Sequence, residues 1–380
     1  MKILLIIHHT LNPNAGAPGS ILRLAESYRL EKHEVEIFSF ENLPKKILDL
    51  DLGGYLFPFF VAFKLYLDAR HFDIIDASTG DIWLWGRCLK KLSRFRGIVA
   101  THSHGLEHTM HAQILEEAKS GNIHLSWKYP IYHGGIRLWE VNQSMQCADL
   151  VLMLNHEDMN FSINSLGLFP EKVEVVHNGI SNNLIDLPID FSLSGDKEIK
   201  IAQIGTYINR KGIKYGTPAL NNIMKKYSNV KVTFFGAGCP EDQVLCEFSE
   251  TIRSRVSVIP YYENSRLPSL LIDFQIKLFP TLSEGFSLAL LESMACGLLP
   301  IATNIPGARE ILKNKVNSIV VPPRNQKAIE DALQEVIADP DYLNRLRKAS
   351  YSTAQNFSWR EVSRNRLSLY KKCLESSYTN

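Results

Sequence analysis

The chain has 380 residues, 45% hydrophobic and 22% charged, which excludes a disordered or fibrous protein and leaves room for two domains with full cores. A formal net charge of +2 is too small to argue for nucleic acid as a partner. The cysteines at 88, 147, 239, 246, 296 and 373 form no C-x-x-C pair and no metal spacing, and read as reduced core thiols of a cytosolic protein.

Taken in chain order, the apolar run Ile3 to Ile7 is too short for a signal peptide and no small-residue cleavage site follows, so it reads as a first β-strand. No run reaches the length that spans a bilayer. Short apolar, β-branched runs then alternate with helical patterns, the mark of parallel sheets. Strands are expected at Lys2–Ile7, Glu34–Phe40, Phe72–Ile75, Gly97–Thr101, Leu150–Leu154 and Lys172–Val176. A loop of little periodicity, Asn182 to Glu198, reads as an interdomain linker. A second series follows at Ile199–Ile204, Val230–Phe235, Val256–Ile259, Ile276–Phe279, Leu299–Ala302 and Ser318–Val321. Two doubly wound units in tandem are expected to bind a ligand at the carboxyl ends of their strands.

Within this frame several stretches carry chemistry. The loop after the first strand, Asn12 to Ser20, is not G-x-G-x-x-G, so a dinucleotide fingerprint is absent. Gly16 in that loop can still let backbone approach a sugar or phosphate, or simply make the turn into a helix. Asp49-Leu50-Asp51 is a D-x-D triplet far from every element expected at a cleft, and reads as surface rather than as a cation site. The aromatic run Tyr55 to Phe63 has two readings, an exposed patch that touches a membrane or lipid-linked acceptor, or a buried helix of the first domain. His102-Ser103-His104-Gly105 follows a strand, and His102 is expected to point the other way from His104. His108 and His111 are near, but no cysteine is, so metal is not expected. Residues 105–142, with Trp127, Tyr129, Tyr132 and Trp139, form either a substrate-binding loop region or a packed helical pair. After the strand Ile199–Ile204 comes Gly205-Thr206-Tyr207-Ile208-Asn209-Arg210-Lys211-Gly212, a turn whose two cations are suited to a diphosphate.

The most informative stretch is Ser283-Glu284-Gly285-Phe286-Ser287-Leu288-Ala289-Leu290-Leu291-Glu292. Ser287 is an expected N-cap and Gly297 an expected stop after Cys296. Glu284 then lies in a strand-to-helix turn and Glu292 inside an apolar helix, where a lone carboxylate needs a ligand or a distant partner. The helix start offers backbone N–H groups and the positive end of a dipole, which suit phosphate.

These residues resemble the family 4 glycosyltransferases, whose hallmark is E-G-F-x-x-x-x-x-E before a small-residue turn; Ser293 to Gly297 and Pro306-Gly307-Ala308-Arg309-Glu310-Ile311 are similar to the hallmark's continuation. The similarity runs over nearly the whole chain, more loosely in the first half. It implies an α/β chain of the GT-B fold, with two Rossmann-like, doubly wound parallel-sheet domains facing a central cleft. On that reading 1–187 is an acceptor-side domain, 198–356 a nucleotide-sugar donor domain, and 357–380 a last helix crossing back, with Trp359, Val362, Leu367 and Tyr370 on its apolar face.

The resemblance further implies a retaining transfer of a sugar from a nucleotide diphosphate, UDP favoured over GDP, to an acceptor hydroxyl, with no cofactor and no metal. Glu292 would hold the ribose diol and Glu284 the sugar hydroxyls, helped by the amides of Phe286, Ser287 and Leu288 and by Gly285. Lys211-Gly212 matches a family pattern in which an Arg follows the first Gly, Gly205; Thr206 stands at that place instead, and Arg210 is the cation available to replace it. His104 matches a family His-Gly near the anomeric carbon, and Gly16 a small-residue loop close to the donor. The expected setting is bacterial surface polysaccharide assembly on a lipid-linked saccharide, in the cytoplasm or peripherally on the inner face of the membrane. The rivals are an epimerase of the same fold, a non-catalytic sugar-binding protein, and a nicotinamide oxidoreductase, which the missing glycine fingerprint disfavours.

Overall fold

The computed structural model describes all residues except 51, 120, 122, 193–197 and 380, and gives the backbone only for 377–379. Asp51 of the D-x-D triplet and 193–197 of the expected linker therefore lie outside the described residues. The chain divides into two compact units: Met1–Asn178 with Trp359–Asn380, and Gly179–Ser358. Among the described residues no helix is long and apolar enough to cross a membrane.

Each of the twelve apolar segments forms a strand, and all neighbours pair in parallel. The first unit holds β1 (Lys2–Ile6), β2 (Glu34–Phe38), β3 (Ile74–Ser78), β4 (Ile98–His102), β5 (Leu150–Met153) and β6 (Val173–Val175), in the order β2-β1-β3-β4-β5-β6. The second holds β7 (Ile199–Ile204), β8 (Val230–Phe235), β9 (Val256–Ile259), β10 (Ile276–Phe279), β11 (Leu299–Thr303) and β12 (Ile319–Val321), in the order β12-β11-β10-β7-β8-β9. Order reverses beside β1 in the first sheet and beside β7 in the second, the places where doubly wound sheets open a crevice. The chain thus holds two Rossmann-like, doubly wound parallel sheets with flanking helices.

The strands form where β-branched and other apolar residues can be buried on both faces. One is displaced from its expected place. β3 runs to Ser78 rather than ending at Ile75, because Asp76 and Ser78 are buried polar residues that hydropathy reads as a strand end. The helix Trp359–Thr379 belongs to the first unit, and its Tyr370 hydroxyl donates to Asp76 Oδ2 while accepting from Tyr28, 3.2 Å away. Arg366 of the same helix lies 3.6 Å from Asp76, and His102 Nδ1 bonds Asp76 Oδ1 at 2.6 Å. Burial alone would raise the Asp76 carboxyl; the His102 and Arg366 charges and these hydrogen bonds outweigh it and hold it far below the usual range.

The aromatic run lies in the helix Gly53–Asp68, where Phe57, Val61 and Leu65 are buried while Tyr55, Phe59 and Phe63 are exposed, each set spaced by four. Region 105–142 contains the helices Glu107–Lys119 and Arg137–Cys147, which touch each other. The cysteines need a correction: none is in a disulfide, but Cys296 alone among them is buried, and Cys88 and Cys246 are exposed, because they lie on outer helical turns.

Tyr370→Phe removes one donor from the buried Asp76 carboxylate and leaves the side-chain volume unchanged. It is expected to cost about 1–3 kcal/mol, read as a lower urea midpoint with an unchanged slope.

Candidate functional site

In the second unit the two sequence motifs lie on either side of the β7–β10 junction. β7 is followed by Gly205 (φ 122°), the exposed Thr206, a short 3-10 turn Asn209–Lys211, and Gly212 (φ 73°), which caps the start of the helix Ile213–Lys226. A Cβ at Gly212 would stand 1.8 Å from the Pro280 carbonyl oxygen, so a side chain there would separate this turn from the turn after β10. The Leu282 amide donates to the Arg210 carbonyl at 2.9 Å, a second backbone tie between the two turns.

Side chains converge on the same place. Lys211 Nζ bonds Glu284 Oε1, Arg210 lies 3.4 Å from that oxygen, and Arg210 also donates to the Ser283 carbonyl at 3.0 Å. The pair is largely shielded: the Lys211 and Glu284 side chains are 17% and 16% exposed, against 43% for Arg210. The sequence thus brings Glu284, Lys211 and Arg210 together from positions 73 and 74 residues apart.

Behind this turn Ser287 caps the helix Leu288–Ala295, its Oγ accepting from the Leu290 amide at 3.4 Å, and Gly297 (φ 79°) follows the C-cap, Cys296. Glu292 is buried one turn in, and its Oε1 accepts from Asn264 Nδ2 at 3.3 Å. Burial first, and then the Glu292 charge, push the Cys296 thiol up to about 12 and raise the Tyr262 hydroxyl. Phe286 is buried, and Gly285 lies against Gly307: a Cβ on Gly307 would come within 2.6 Å of the Gly285 carbonyl oxygen.

Two residues here escaped the sequence reading. Asn264 lies 28 positions before Glu292, with no pattern to link them. Lys277 interrupts the apolar strand Ile276–Phe279 and is completely buried, a signal visible in the sequence but not acted on.

In the first unit His104 follows β4. Burial, then the neighbouring His102 and His8 charges, hold its imidazole well below the ordinary histidine range, so it is neutral at neutral pH. Its Nε2 is buried and has no hydrogen-bond partner among the described residues. His102 does not face the other way as expected: it bonds Asp76 and the Ser78 hydroxyl (3.2 Å), and its ring lies edge-on to that of His104 with 4.9 Å between centroids, because residues two apart along an extended segment share a side. Gly16 begins the helix Gly16–Leu30, and a Cβ there would meet nothing within 4 Å, so backbone is open to approach. Beside these lies an ion cluster the sequence did not reveal: Arg137 approaches Asp81 (3.7 Å), Glu107 (3.6 Å) and Glu140 (3.5 Å), and His8 bonds Asp81. His111 bonds the Tyr129 hydroxyl at 3.1 Å, and among the described residues no group of three or more His, Cys, Asp or Glu could hold a metal ion.

Comparison with known proteins bears on this geometry. Residues 189–353 match the family model for glycosyl transferases group 1. An uncharacterized glycosyltransferase of Methanocaldococcus jannaschii is 27% identical over 220 residues, 54% of this chain and 55% of that protein. The chain spans about half the length of the curated relatives it matches. Among solved structures, sucrose-phosphate synthase from Thermosynechococcus elongatus aligns with a TM-score of 0.76 at 19% identity, covering 99% of this chain and 100% of that one. HepE of Anabaena, solved in complex with UDP-glucose, aligns with a TM-score of 0.69 at 20% identity, covering 99% and 100%. Residues 189–353 are therefore similar to group 1 glycosyl transferases, within a chain of GT-B fold.

Gly307→Ala forces the turn that carries Glu284 away from its neighbour. The overpacking is expected to cost about 1–3 kcal/mol, measured as a drop in the chemical-denaturation midpoint.

Proposed function

We propose that this chain is a retaining, metal-independent glycosyltransferase of family 4 that moves a sugar from a nucleotide diphosphate to an acceptor hydroxyl. The observation that carries the reading is the convergence of Arg210, Lys211 and Glu284 at the β7–β10 junction, beside the capped helix that bears Glu292. In this reading Glu292, oriented by Asn264, takes the ribose diol, and Glu284 takes sugar hydroxyls. As the glycosidic bond breaks, charge grows on the leaving phosphate. Arg210, Lys211 and the amides of Phe286, Ser287 and Leu288 at the helix start stabilise it. Arg210 thereby replaces the cation missing at Thr206, and Gly205 and Gly285 let the two turns approach the diphosphate. Both glutamates lie in one unit, which argues against the acid and nucleophile of a glycosidase. In the first unit the candidates are Gly16, with open backbone, and the neutral His104 with its unpartnered Nε2.

The complex of HepE with UDP-glucose supports a uridine donor. The exposed row Tyr55, Phe59 and Phe63 supports a lipid-linked saccharide as acceptor and peripheral contact with a membrane, in surface polysaccharide assembly on its cytoplasmic face.

The test is incubation with a panel of nucleotide sugars and lipid-linked saccharides in the presence of a chelator. Formation of free nucleotide together with a glycosylated acceptor supports the reading. A released, altered sugar points to an epimerase, and turnover that returns only with added divalent cation overturns metal independence. Glu292→Gln is expected to raise the donor KM roughly tenfold or more, with kcat little changed, because ribose contacts are the same in ground and transition states. Lys211→Ala is expected to lower kcat by about a hundred- to a thousandfold at saturating donor, since the charge it meets grows in the transition state.

A further inference from the structure

Lys277 has no place in the reaction just described. It lies in β10, fully buried, in register with Ala202 of β7 and Pro300 of β11. Its Nζ donates to the carbonyl of Ile204, the last residue of β7, at 3.2 Å, and lies 6.0 Å from the Phe279 ring centroid. Among the described residues no carboxylate comes within ion-pair distance of it.

The charged groups that act on the amine come from the two motif turns. Lys211, after β7, opposes a charge on it, and Glu284, after β10, favours one. Arg210 stands beside Glu284. From β7, Lys200 sits at the far end of the strand and pairs with Asp273 at 3.6 Å. From β11, Thr303 is uncharged and donates to the Phe279 and Thr281 carbonyls. From the helix Leu288–Ala295, Glu292 is engaged by Asn264. Burial, followed by the Lys211 charge, holds the Lys277 amine well below the ordinary lysine range. The buried amine is therefore placed where charge balance changes on ligand binding. In the free protein one carboxylate faces two cations, and a protonated Lys277 would be a third. A diphosphate diester brings two negative charges and reverses that balance.

We propose that binding of a diphosphate diester at the Arg210–Lys211–Glu284 site is coupled to uptake of one proton from solvent by Lys277. The inference rests on the donor site proposed above. The Nζ lone pair takes the proton, no covalent bond breaks, and Lys277 becomes a third cation beneath the bound diphosphate. Donor affinity then falls as pH rises, and the chain discriminates against uncharged sugars.

Calorimetric titration with UDP-glucose and with GDP-mannose, in two buffers of different ionisation enthalpy at one neutral pH, reads the proton directly. Neither diphosphate diester has a group that titrates there. The wild-type chain is expected to take up about one proton per donor bound, and its Kd to rise about tenfold per pH unit while that uptake lasts. K277M is expected to bind more weakly with uptake near zero. Binding without buffer dependence in the wild type overturns the proposal, as does undiminished uptake in K277M. If neither nucleotide sugar binds, the donor-site reading itself fails and this inference falls with it.

A ligand-free arm tests the neutral amine alone. A depressed folded-state lysine leaves the unfolded chain holding a proton that the folded chain lacks, so wild-type stability rises with pH toward the unfolded value of 10.5. The wild-type Tm is therefore expected to rise relative to that of K277M as pH is raised from 7 to 10. A gap that does not change with pH overturns the proposal.

Discussion

Glu284 ties together the two turns on which the candidate site depends. Its carboxylate accepts Lys211 and stands against Arg210, so one acidic side chain from the turn after β10 gathers both cations from the turn after β7. A shielded ion pair of this kind adds little net stability, because desolvation offsets much of its Coulomb attraction. The backbone does the fastening: the Leu282 amide on the Arg210 carbonyl, and Gly212 pressed against the Pro280 carbonyl. The turns are therefore held by groups that do not exchange, while the side chains between them can change partners when a ligand arrives. Lys277, fully buried, donates to the carbonyl of Ile204 at the end of β7, and burial holds its amine well below the ordinary lysine range.

The first unit solves a similar problem with different chemistry. There the ends of β3 and β4 carry Asp76, Ser78 and His102, all buried, and the last helix supplies Tyr370 and Arg366 to satisfy them. A polar cluster in a core is tolerated only when its members are paired, and Asp76 draws two of its partners, Tyr370 and Arg366, from nearly three hundred residues away. The closing helix thus satisfies the buried groups beside the loop that places His104, and burial, followed by the charges of His102 and His8, keeps that imidazole neutral. The helix Gly53–Asp68 shows the same economy: one face completes the core and the other leaves a row of aromatics exposed.

How much of this was legible in the sequence depends on the range of the interactions. The strands were readable because apolar, β-branched runs have nowhere to go but the interior of a parallel sheet. The start and stop of the helix bearing Glu292 were readable because a serine cap and a left-handed glycine act within a few residues. The glutamate motif was readable for the same reason, as was the Lys-Gly turn. The β3 boundary was misplaced because Asp76 looks like an end to hydropathy and is a strand residue only once Tyr370, Arg366 and His102 pair with it.

The sequence by itself determined the two α/β units, the order of their strands along the chain, the turn chemistry and the residues of the glutamate motif, all consequences of local pattern. Tertiary structure decided the strand order within each sheet and the partners: Lys211 and Arg210 for Glu284, Asn264 for Glu292, Asp76 for His102, and a sealed interior for Lys277. Burial and pairing are properties of distance in space. Distances between residues tens to hundreds of positions apart are set only when the sheets close and bring the ends of different strands together.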